Sequence, residues 1–214
     1  MKRQQIILIG GGGHAKVIID AIQAGEKWEI VGVIDAELPL GSKIADIEII
    51  GRDEDVLKIY KKGITHAFIS VGSVESTAIR RKLCLNLKEI GFKLPIIIHP
   101  SAQVSSFVTI AEGTFISAGA IVQSGSFIKE NVIINTGAIV DHDCCIGQFA
   151  HLAPGVRLSG EVIIGDDTLI GTGTSVKQNM TIGHHCIIGA GSAVVSHIPD
   201  NSKAYGNPCR IHPS

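Results

Sequence analysis

The chain has 214 residues, and 45% of them are hydrophobic while only 4% are aromatic, so any core must be built from aliphatic side chains. The formal net charge is -1 and no block of basic residues occurs, which argues against nucleic-acid or anionic-membrane binding. No apolar run approaches the ~20 residues that a membrane helix needs. The five cysteines lack a C-x-x-C pair, as is typical of reduced thiols. We therefore expect a cytoplasmic protein without a nucleic-acid or membrane partner.

The N-terminal half alternates between apolar runs and amphipathic segments. This alternation predicts a parallel sheet of Rossmann type, with helices between its strands. We assign residues 1–97 to this α/β domain. Its predicted strands and helices are, in chain order, Ile6–Ile9, His14–Ala24 (helix), Glu29–Ile34, Glu54–Tyr60 (helix), His66–Val71, Glu75–Ile90 (helix) and Leu94–Ile98.

A glycine-rich loop follows the first predicted strand. Gly10, Gly12 and Ala15 have the G-x-G-x-x-G/A spacing of a phosphate-binding loop, and Asp35 lies about 20 residues further on. Glycines let a phosphate approach the backbone, and the following helix N-terminus favours its negative charge. The domain is only about half the size of a dinucleotide-binding fold, which favours one nucleotide over NAD. A purely structural tight turn is the alternative.

The C-terminal half, residues 98–214, carries a six-residue repeat. Every sixth residue from Ile98 to Val194 is Ile, Val or Leu, and the position four later is small or compact, except Met180. Neither a helix nor an ordinary strand generates this period. Three hexads make one coil of a triangular prism in which the aliphatic residues point inward and stack from coil to coil. Gly, Ser, Asn or Asp often follows the aliphatic residue, which suggests tight corners there.

One polar corner of the prism stands out. Val140 is an inward position, which places Asp141, His142 and Asp143 on the outside. A neighbouring carboxylate raises the basicity of an imidazole and fixes its tautomer, so His142 is a candidate general base. The alternative from the residues alone is a solvated polar corner without chemistry.

Four motifs carry a resemblance to a known family: the hexapeptide repeat, Gly-Gly-Gly-His in the first loop, Asn135-Thr136 with His142-Asp143-Cys144, and Tyr205-Gly206-Asn207-Pro208. Over its full length the chain resembles the hexapeptide-repeat acyltransferases that include sialic-acid O-acetyltransferases and the UDP-4-amino-sugar N-acetyltransferases of bacillosamine and perosamine pathways. The resemblance implies a left-handed parallel β-helix, although the general crossover preference is right-handed. It also implies a homotrimer that uses acetyl-CoA as co-substrate, without a metal, in polysaccharide biosynthesis.

The resemblance also implies roles for individual residues. His142 would be the general base, supported by Asp143, which stands where relatives commonly have Glu. Acetyl-CoA would contact His151 and backbone groups at Thr172 and Ala190, which are one coil apart. The nucleotide sugar would contact Gly12, Gly13, His14, Asp35 and Gly72.

Several functions compete at this point. The leading prediction is N-acetylation of the amino group of a nucleotide-linked 4-amino-4,6-dideoxy sugar. O-acetylation of sialic acid or another surface sugar would use the same base. A zinc hydratase of the γ-carbonic anhydrase kind shares the β-helix, but its close H-x4-H pair is absent, since His142 and His151 are nine residues apart. A non-catalytic binding or scaffold protein is the remaining alternative.

Overall fold

The computed structural model describes residues 3–73 and 75–213. These residues form two compact units: one runs to Ser73 and again over Thr77–Pro100, and the other contains the chain from Ser101 onward together with Glu75 and Ser76. Met1, Lys2, Val74 and Ser214, which belong to the two predicted domains, lie outside the described residues. Among the described residues, no helix is long and apolar enough to cross a membrane.

The first unit is a five-stranded α/β sheet with the strand order β3 (Lys43–Ile44), β4 (Ile47–Gly51), β2 (Trp28–Ile34), β1 (Gln4–Ile9) and β5 (Ala67–Ile69). Strand β1, which lies between β2 and β5, is buried from Ile6 to Ile9, as expected for a parallel strand covered on both faces. The elements are β1 (Gln4–Ile9), α1 (Gly13–Ala24), β2 (Trp28–Ile34), β3 (Lys43–Ile44), β4 (Ile47–Gly51), a 3-10 turn (Asp53–Asp55), α2 (Val56–Lys61), β5 (Ala67–Ile69), α3 (Ala78–Ile90) and β6 (Ile97–Ile98).

The parallel alternation predicted from the sequence is present as far as β5, but the last predicted strand, Leu94–Ile98, is only Ile97–Ile98 (β6) and is not part of this sheet. The sheet also contains two strands that the sequence analysis lacks. β3 and β4 pair antiparallel, with Ala45 and Asp46 in the left-handed region between them, and β4 then adds parallel to β2. The alternating Ile47 and Ile49 were the available signal for β4. Because β4 packs beside β2, the segment that follows β2 is held close to the carboxyl edge of the sheet.

The second unit is the predicted prism, a left-handed parallel β-helix. Its strands pair parallel between residues 18 positions apart, for example Ile121 with Ile139, which matches one coil per three hexads. Face one contains β7 (Gln103–Val104), β10 (Ile121–Val122), β13 (Ile139–Val140), β16 (Arg157–Leu158), β19 (Ser175–Val176) and β22 (Ala193–Val194). Face two contains β8 (Thr109–Ile110), β11 (Phe127–Ile128), β14 (Cys145–Ile146), β17 (Ile163–Ile164) and β20 (Thr181–Ile182). Face three contains β9 (Phe115–Ile116), β12 (Ile133–Ile134), β15 (His151–Leu152), β18 (Leu169–Ile170), β21 (Ile187–Ile188) and β23 (Lys203–Tyr205).

The prism core is made of the repeated aliphatic residues and the compact residues beside them. Columns such as Val122, Val140 and Leu158 are at most 1% exposed, and the slots between them hold fully buried Ala120, Ala138 and similar residues. Met180, the exception to the small-residue rule, is only partly buried against this core. Each coil therefore depends on its neighbours for burial, as in other solenoids.

The corners differ in one respect from the prediction. Left-handed backbone occurs three positions after the inward aliphatic residue, as at Asp143 (φ 57) and Gly173 (φ 69), rather than directly after it. The glycines directly after it serve close packing instead: a Cβ on Gly147 would lie 2.5 Å from the Asp166 nitrogen, and one on Gly171 would lie 2.5 Å from the Ala190 nitrogen. These glycines let successive coils approach each other.

The stack ends differently from its interior. Ile182 pairs with Ile198, and Ile187 pairs with Lys203, so the last coil advances by 16 residues instead of 18. The final strand β24 (Arg210–His212) then folds back antiparallel onto β23, and the ring of His212 stacks on Tyr205 with centroids 3.7 Å apart. Cys209, in the intervening turn, is 2% exposed, and its N–H donates to the Ala193 carbonyl at 2.8 Å.

Candidate active site

The proposed base and its acid form a direct pair. His142 and Asp143 lie at the edge between face one and face two, which we call the first edge, and the His142 Nδ1 is 2.9 Å from the Asp143 Oδ2. The left-handed backbone at Asp143 (φ 57) is part of the tight corner between β13 and β14. The shorter Asp side chain therefore reaches His142, which the sequence alone left open. With the Nδ1 proton donated to the carboxylate, the Nε2 is left as the proton acceptor.

The surroundings of His142 raise the basicity of its imidazole. The hydrogen bond that His142 donates to Asp143 raises the His142 pKa most; partial burial opposes it, and the charges of Asp141, Asp143 and Glu161 add to the increase. Asp141 also accepts the His142 backbone N–H at 2.8 Å. Glu161 was not among the predicted residues, yet it lies one coil after Asp143, so counting 18 residues forward would have found it.

The predicted acetyl-CoA residues lie elsewhere on the same prism. His151 is on face three, where its Nε2 is 3.3 Å from the Asn135 Nδ2. Thr172 and Ala190 lie at the edge between face three and face one, which we call the third edge, and the Thr172 carbonyl accepts the Gly191 N–H at 2.8 Å. The structure stacks Thr172 and Ala190 in one column, as predicted, but in a single chain it does not bring them together with His142.

The third edge presents an open strip of backbone. Five left-handed glycines form a column there, one per coil, and apart from the adjacent residues of the chain no atom lies within 4 Å of the position of a Cβ on any of them: Gly119, Gly137, Gly155, Gly173 and Gly191. An extended pantetheine chain requires such an unobstructed surface with backbone amides along it. The residues present therefore fit the co-substrate, and acetyl-CoA binding at His151, Thr172 and Ala190 stays a prediction.

The glycine-rich loop lies at the carboxyl end of the parallel strands. Gly12 and Gly13 are exposed at the start of α1, and a Cβ on either would meet no atom within 4 Å. Gly72 follows β5 and lies beside His14, where a Cβ would be 3.4 Å from the His14 Cβ. The structure thus brings Gly12, Gly13, His14 and Gly72 to one end of the sheet, where a parallel α/β sheet binds its ligands.

Asp35 also lies at this end, but its carboxylate is engaged by the loops themselves. Oδ2 accepts the Gly11 N–H at 2.7 Å, and Oδ1 accepts the N–H groups of Glu37 and Leu38, each at 2.9 Å. Burial raises the Asp35 pKa, but these three N–H groups and the Arg52 charge outweigh it, and the net pKa is lowered. The structure therefore gives Asp35 a role in holding the glycine loop, and its predicted contact with a nucleotide stays a prediction.

A cavity of about 240 Å³ opens beside Asp35. Its walls combine apolar side chains from β2 and α3 with carboxylates after β2 and β4. The lining residues are Gly10, Ile34, Asp35, Ala36, Glu37, Asp53, Val71, Ile79 and Leu83. Glu37 and Asp53 were not predicted as site residues. Asp53 could not be foreseen, because it is the added strand β4 that brings it to this position. An apolar slot with polar groups at its rim suits a planar nucleobase.

Within the described residues, no group of three or more His, Cys, Asp or Glu side chains is arranged to hold a metal ion. His142 and His151 lie on different parts of the prism, one at the first edge and one on face three.

Comparisons with known proteins agree with this architecture. The PglD N-terminal domain family model matches residues 5–87. PerB from Caulobacter crescentus, solved in complex with CoA and GDP-perosamine, is 35% identical, with a TM-score of 0.91 over 98% of this chain and 97% of that one. No curated protein sequence matches the chain.

A second solved relative points the same way. The acetyltransferase domain of PglB from Neisseria gonorrhoeae is 34% identical, with a TM-score of 0.90 over 98% of this chain and all (100%) of that one. It has also been solved with acetyl coenzyme A. WeeI from Acinetobacter baumannii, at 24% identity and a TM-score of 0.84, shares the fold. With the His142–Asp143 pair on a left-handed β-helix that follows a glycine-loop domain in the sequence, this chain belongs to the hexapeptide-repeat, acetyl-CoA-dependent sugar acetyltransferases.

Proposed function

We propose that the protein N-acetylates the amino group of a nucleotide-linked 4-amino-4,6-dideoxy sugar, with acetyl-CoA as donor and His142 as general base. The observation that carries the proposal is the 2.9 Å contact from His142 Nδ1 to Asp143 Oδ2, which leaves the Nε2 as acceptor. PerB, which binds GDP-perosamine and CoA, is the relative that supports an amino-sugar substrate.

The chemistry follows from this geometry. Acetyl-CoA supplies a thioester carbonyl that an amine can attack. His142 Nε2 accepts the proton that the amine loses as its nitrogen bonds to the acetyl carbon, and it can return that proton to the departing CoA thiolate as the C–S bond breaks. Asp143 and Asp141 stabilise the imidazolium between these two transfers, because their charges favour the protonated ring.

The active form is proposed to be a homotrimer. In one chain, His142 lies at the first edge, whereas Thr172 and Ala190 lie at the third, so the two halves of the site are separated by face one. Placing the third edge of one copy beside the first edge of another would complete the site between subunits. A symmetric ring of such contacts closes with the three copies that the family resemblance implies.

An apolar stripe on face two supports association. Phe127, Cys145 and Ile163 pair in register on the outside of the prism, and Phe127 and Ile163 are 44% and 47% exposed. Such outward apolar residues in stacked strands are typical of surfaces that another protein covers. The stripe adjoins the His142 corner, since Cys145 follows Asp143 by two residues. We therefore propose it as part of the contact between copies.

The cavity beside Asp35 favours guanine as the nucleobase. Its lining holds the carboxylates of Glu37 and Asp53 and, among the described residues, no Lys or Arg. Guanine presents two adjacent N–H donors on one edge, which a carboxylate can accept together, whereas uracil presents one N–H between two carbonyl oxygens. The bound GDP-perosamine of PerB points in the same direction. A GDP-linked sugar is therefore the preferred substrate.

The cellular setting follows from the substrates. Acetyl-CoA and nucleotide sugars are intracellular metabolites, and none of the five cysteines takes part in a disulfide among the described residues. We propose a cytoplasmic enzyme that acetylates a sugar before it enters a surface polysaccharide.

The proposal is tested by a thermal-shift panel of GDP-, UDP- and CMP-linked sugars with and without acetyl-CoA, followed by assays of the ligands that bind. Ligand stabilisation grows as RT ln(1 + [L]/Kd), so the correct nucleotide raises the melting temperature most. With that substrate, His142→Ala should lower kcat by ~10²–10⁴ while acetyl-CoA binding is retained. An unchanged kcat would exclude His142 as the base, and transfer only to hydroxyl acceptors would favour O-acetylation.

A further inference from the structure

Two glycines from neighbouring coils flank the His142–Asp143 pair. Gly160 lies one coil after His142, and Gly125 lies one coil before Asp143, because each pair is 18 residues apart. Backbone hydrogen bonds hold these coils in register at this edge. Glu161 donates to the His142 carbonyl at 2.9 Å, and Asp143 donates to the Ser124 carbonyl at 3.1 Å. The pair therefore lies against two backbone positions that lack side chains.

The side chains of His142 and Asp143 occupy the space beside these two glycines. A Cβ on Gly160 would overlap the His142 Cε1 and Nε2 and lie 3.1 Å from its Cδ2. A Cβ on Gly125 would overlap the Asp143 Oδ1 and lie 3.1 Å from its Cγ. The imidazole thus rests on the next coil while the carboxylate rests on the previous one, and neither could keep its position beside a larger residue.

We propose that Gly125 and Gly160 are positioning residues that hold His142 and Asp143 in hydrogen-bonding contact. This inference rests on the proposed function only in that His142 is the base. Both side chains are substantially exposed, at 46% and 62%, so little packing from other side chains restrains them. Gly160 and Gly125 supply that restraint, because the imidazole packs against the first and the carboxylate against the second.

Gly160 is the more informative position to change. Gly125 has a φ of +76°, so any side chain there would strain the backbone whatever space surrounds it. Gly160 has no left-handed backbone, so alanine is compatible with its conformation, and the three atoms nearest to the added methyl group all belong to the imidazole ring. Gly160→Ala should therefore displace His142 without disturbing the coil. Gln178→Ala, one coil further along at an exposed position of the same column, is the matched control.

The test is an NMR titration of the His142 imidazole in the full-length protein, with kcat and its pH dependence measured in parallel. Gly160→Ala should lower the His142 pKa towards its ordinary value, because the ring loses the Asp143 hydrogen bond that raises it most. We expect kcat to fall about 10–10²-fold, as for a base displaced by about 1 Å. The acid limb of the kcat profile should move to lower pH. Gln178→Ala should leave both quantities unchanged.

Two combined variants make the result decisive. In an Asp143→Asn background, Gly160→Ala should no longer change the His142 pKa, since the hydrogen bond between His142 and Asp143 is already lost. An equal further decrease of the pKa in this background would overturn the proposal. An unchanged His142 pKa in the single variant Gly160→Ala would overturn it as well. In a His142→Ala background, Gly160→Ala should not lower the melting temperature, because no ring remains to collide with the methyl group. If Gly160→Ala still lowers the melting temperature in the His142→Ala background, the proposal that Gly160 positions the ring is also refuted. The titration needs no turnover, so it separates failure here from failure of the proposed reaction.

Discussion

Replacing Asp35 with Asn distinguishes a loop-holding role from a nucleotide-binding one. The carboxylate accepts three backbone N–H groups, with Gly11 on one oxygen and Glu37 and Leu38 on the other. Asn keeps one acceptor oxygen and places an NH2 group where the second oxygen was. In its better orientation it keeps the two bonds on Oδ1 and turns a donor towards the Gly11 N–H, so one backbone donor loses its acceptor.

The expected destabilisation follows from the loss of the hydrogen-bond acceptor of the Gly11 N–H. A buried donor left without a partner costs about 1–3 kcal/mol, and Asp35 is only partly buried, so we expect about 1–2 kcal/mol of local destabilisation. This corresponds to roughly 5–30-fold faster hydrogen exchange at the Gly11 amide. Affinity for the nucleotide should decrease as well, because the loop that leads into α1 is no longer fixed.

The assay is native-state hydrogen exchange of the Gly11 amide without ligand, combined with nucleotide titration. Asp46→Asn is the matched control, since Asp46 is exposed in the β3–β4 turn and has a left-handed backbone that Asn tolerates. If Gly11 exchange is unchanged while nucleotide affinity falls, Asp35 contacts the nucleotide directly and the loop-holding argument is wrong.

Three further predictions concern the prism. Asp143→Asn removes the main cause of the raised His142 pKa, so the acid limb of the kcat/KM profile should move to lower pH, and an unmoved limb would contradict the pairing. Leu152→Ala empties a fully buried position and should lower the free energy of unfolding by about 2–5 kcal/mol in denaturant titrations, unlike Leu85→Ala, which truncates an exposed side chain on α3. Phe127→Glu places a charge in the apolar stripe and should convert trimers into monomers by light scattering; a persistent trimer would exclude the stripe from the interface.

The repeat was the most predictable part of the fold. A one-residue slip would turn the inward column from Val104 to Val194 outward, so the aliphatic spacing determines both register and core. The conformation of the corners was less predictable. From the sequence, Gly147 and Gly171 are consistent with either a left-handed turn or close packing between coils. Only the distance to the next coil in the structure distinguishes these two explanations. The left hand of the helix came from the resemblance, since the spacing is the same for both hands.

The site was predictable where it depends on the repeat and less so elsewhere. Adding 18 to a residue number gives its neighbour in the next coil, so the Thr172–Ala190 column was visible in the sequence. The fit of the His142 ring over Gly160 depends on a side-chain rotamer, which no spacing specifies. Asp53 reached the cavity through β4, a short strand whose pairing is set by tertiary contacts. Asp35 was found by its motif, but the motif does not show that backbone groups already occupy both oxygens.

The hairpin formed by β23 and β24 has a consequence for the size of the molecule. A repeating prism has no intrinsic last coil: its terminal face offers unpaired backbone groups that could accept another copy and grow into a fibre. The coil of 16 residues breaks the register that an added coil would need, and the antiparallel β24 lies where a further parallel strand would bind. At the same end, Cys209 packs into the hydrophobic core of the prism. These few residues therefore close the end of the stack, so that another copy cannot add to it end to end and form a fibre.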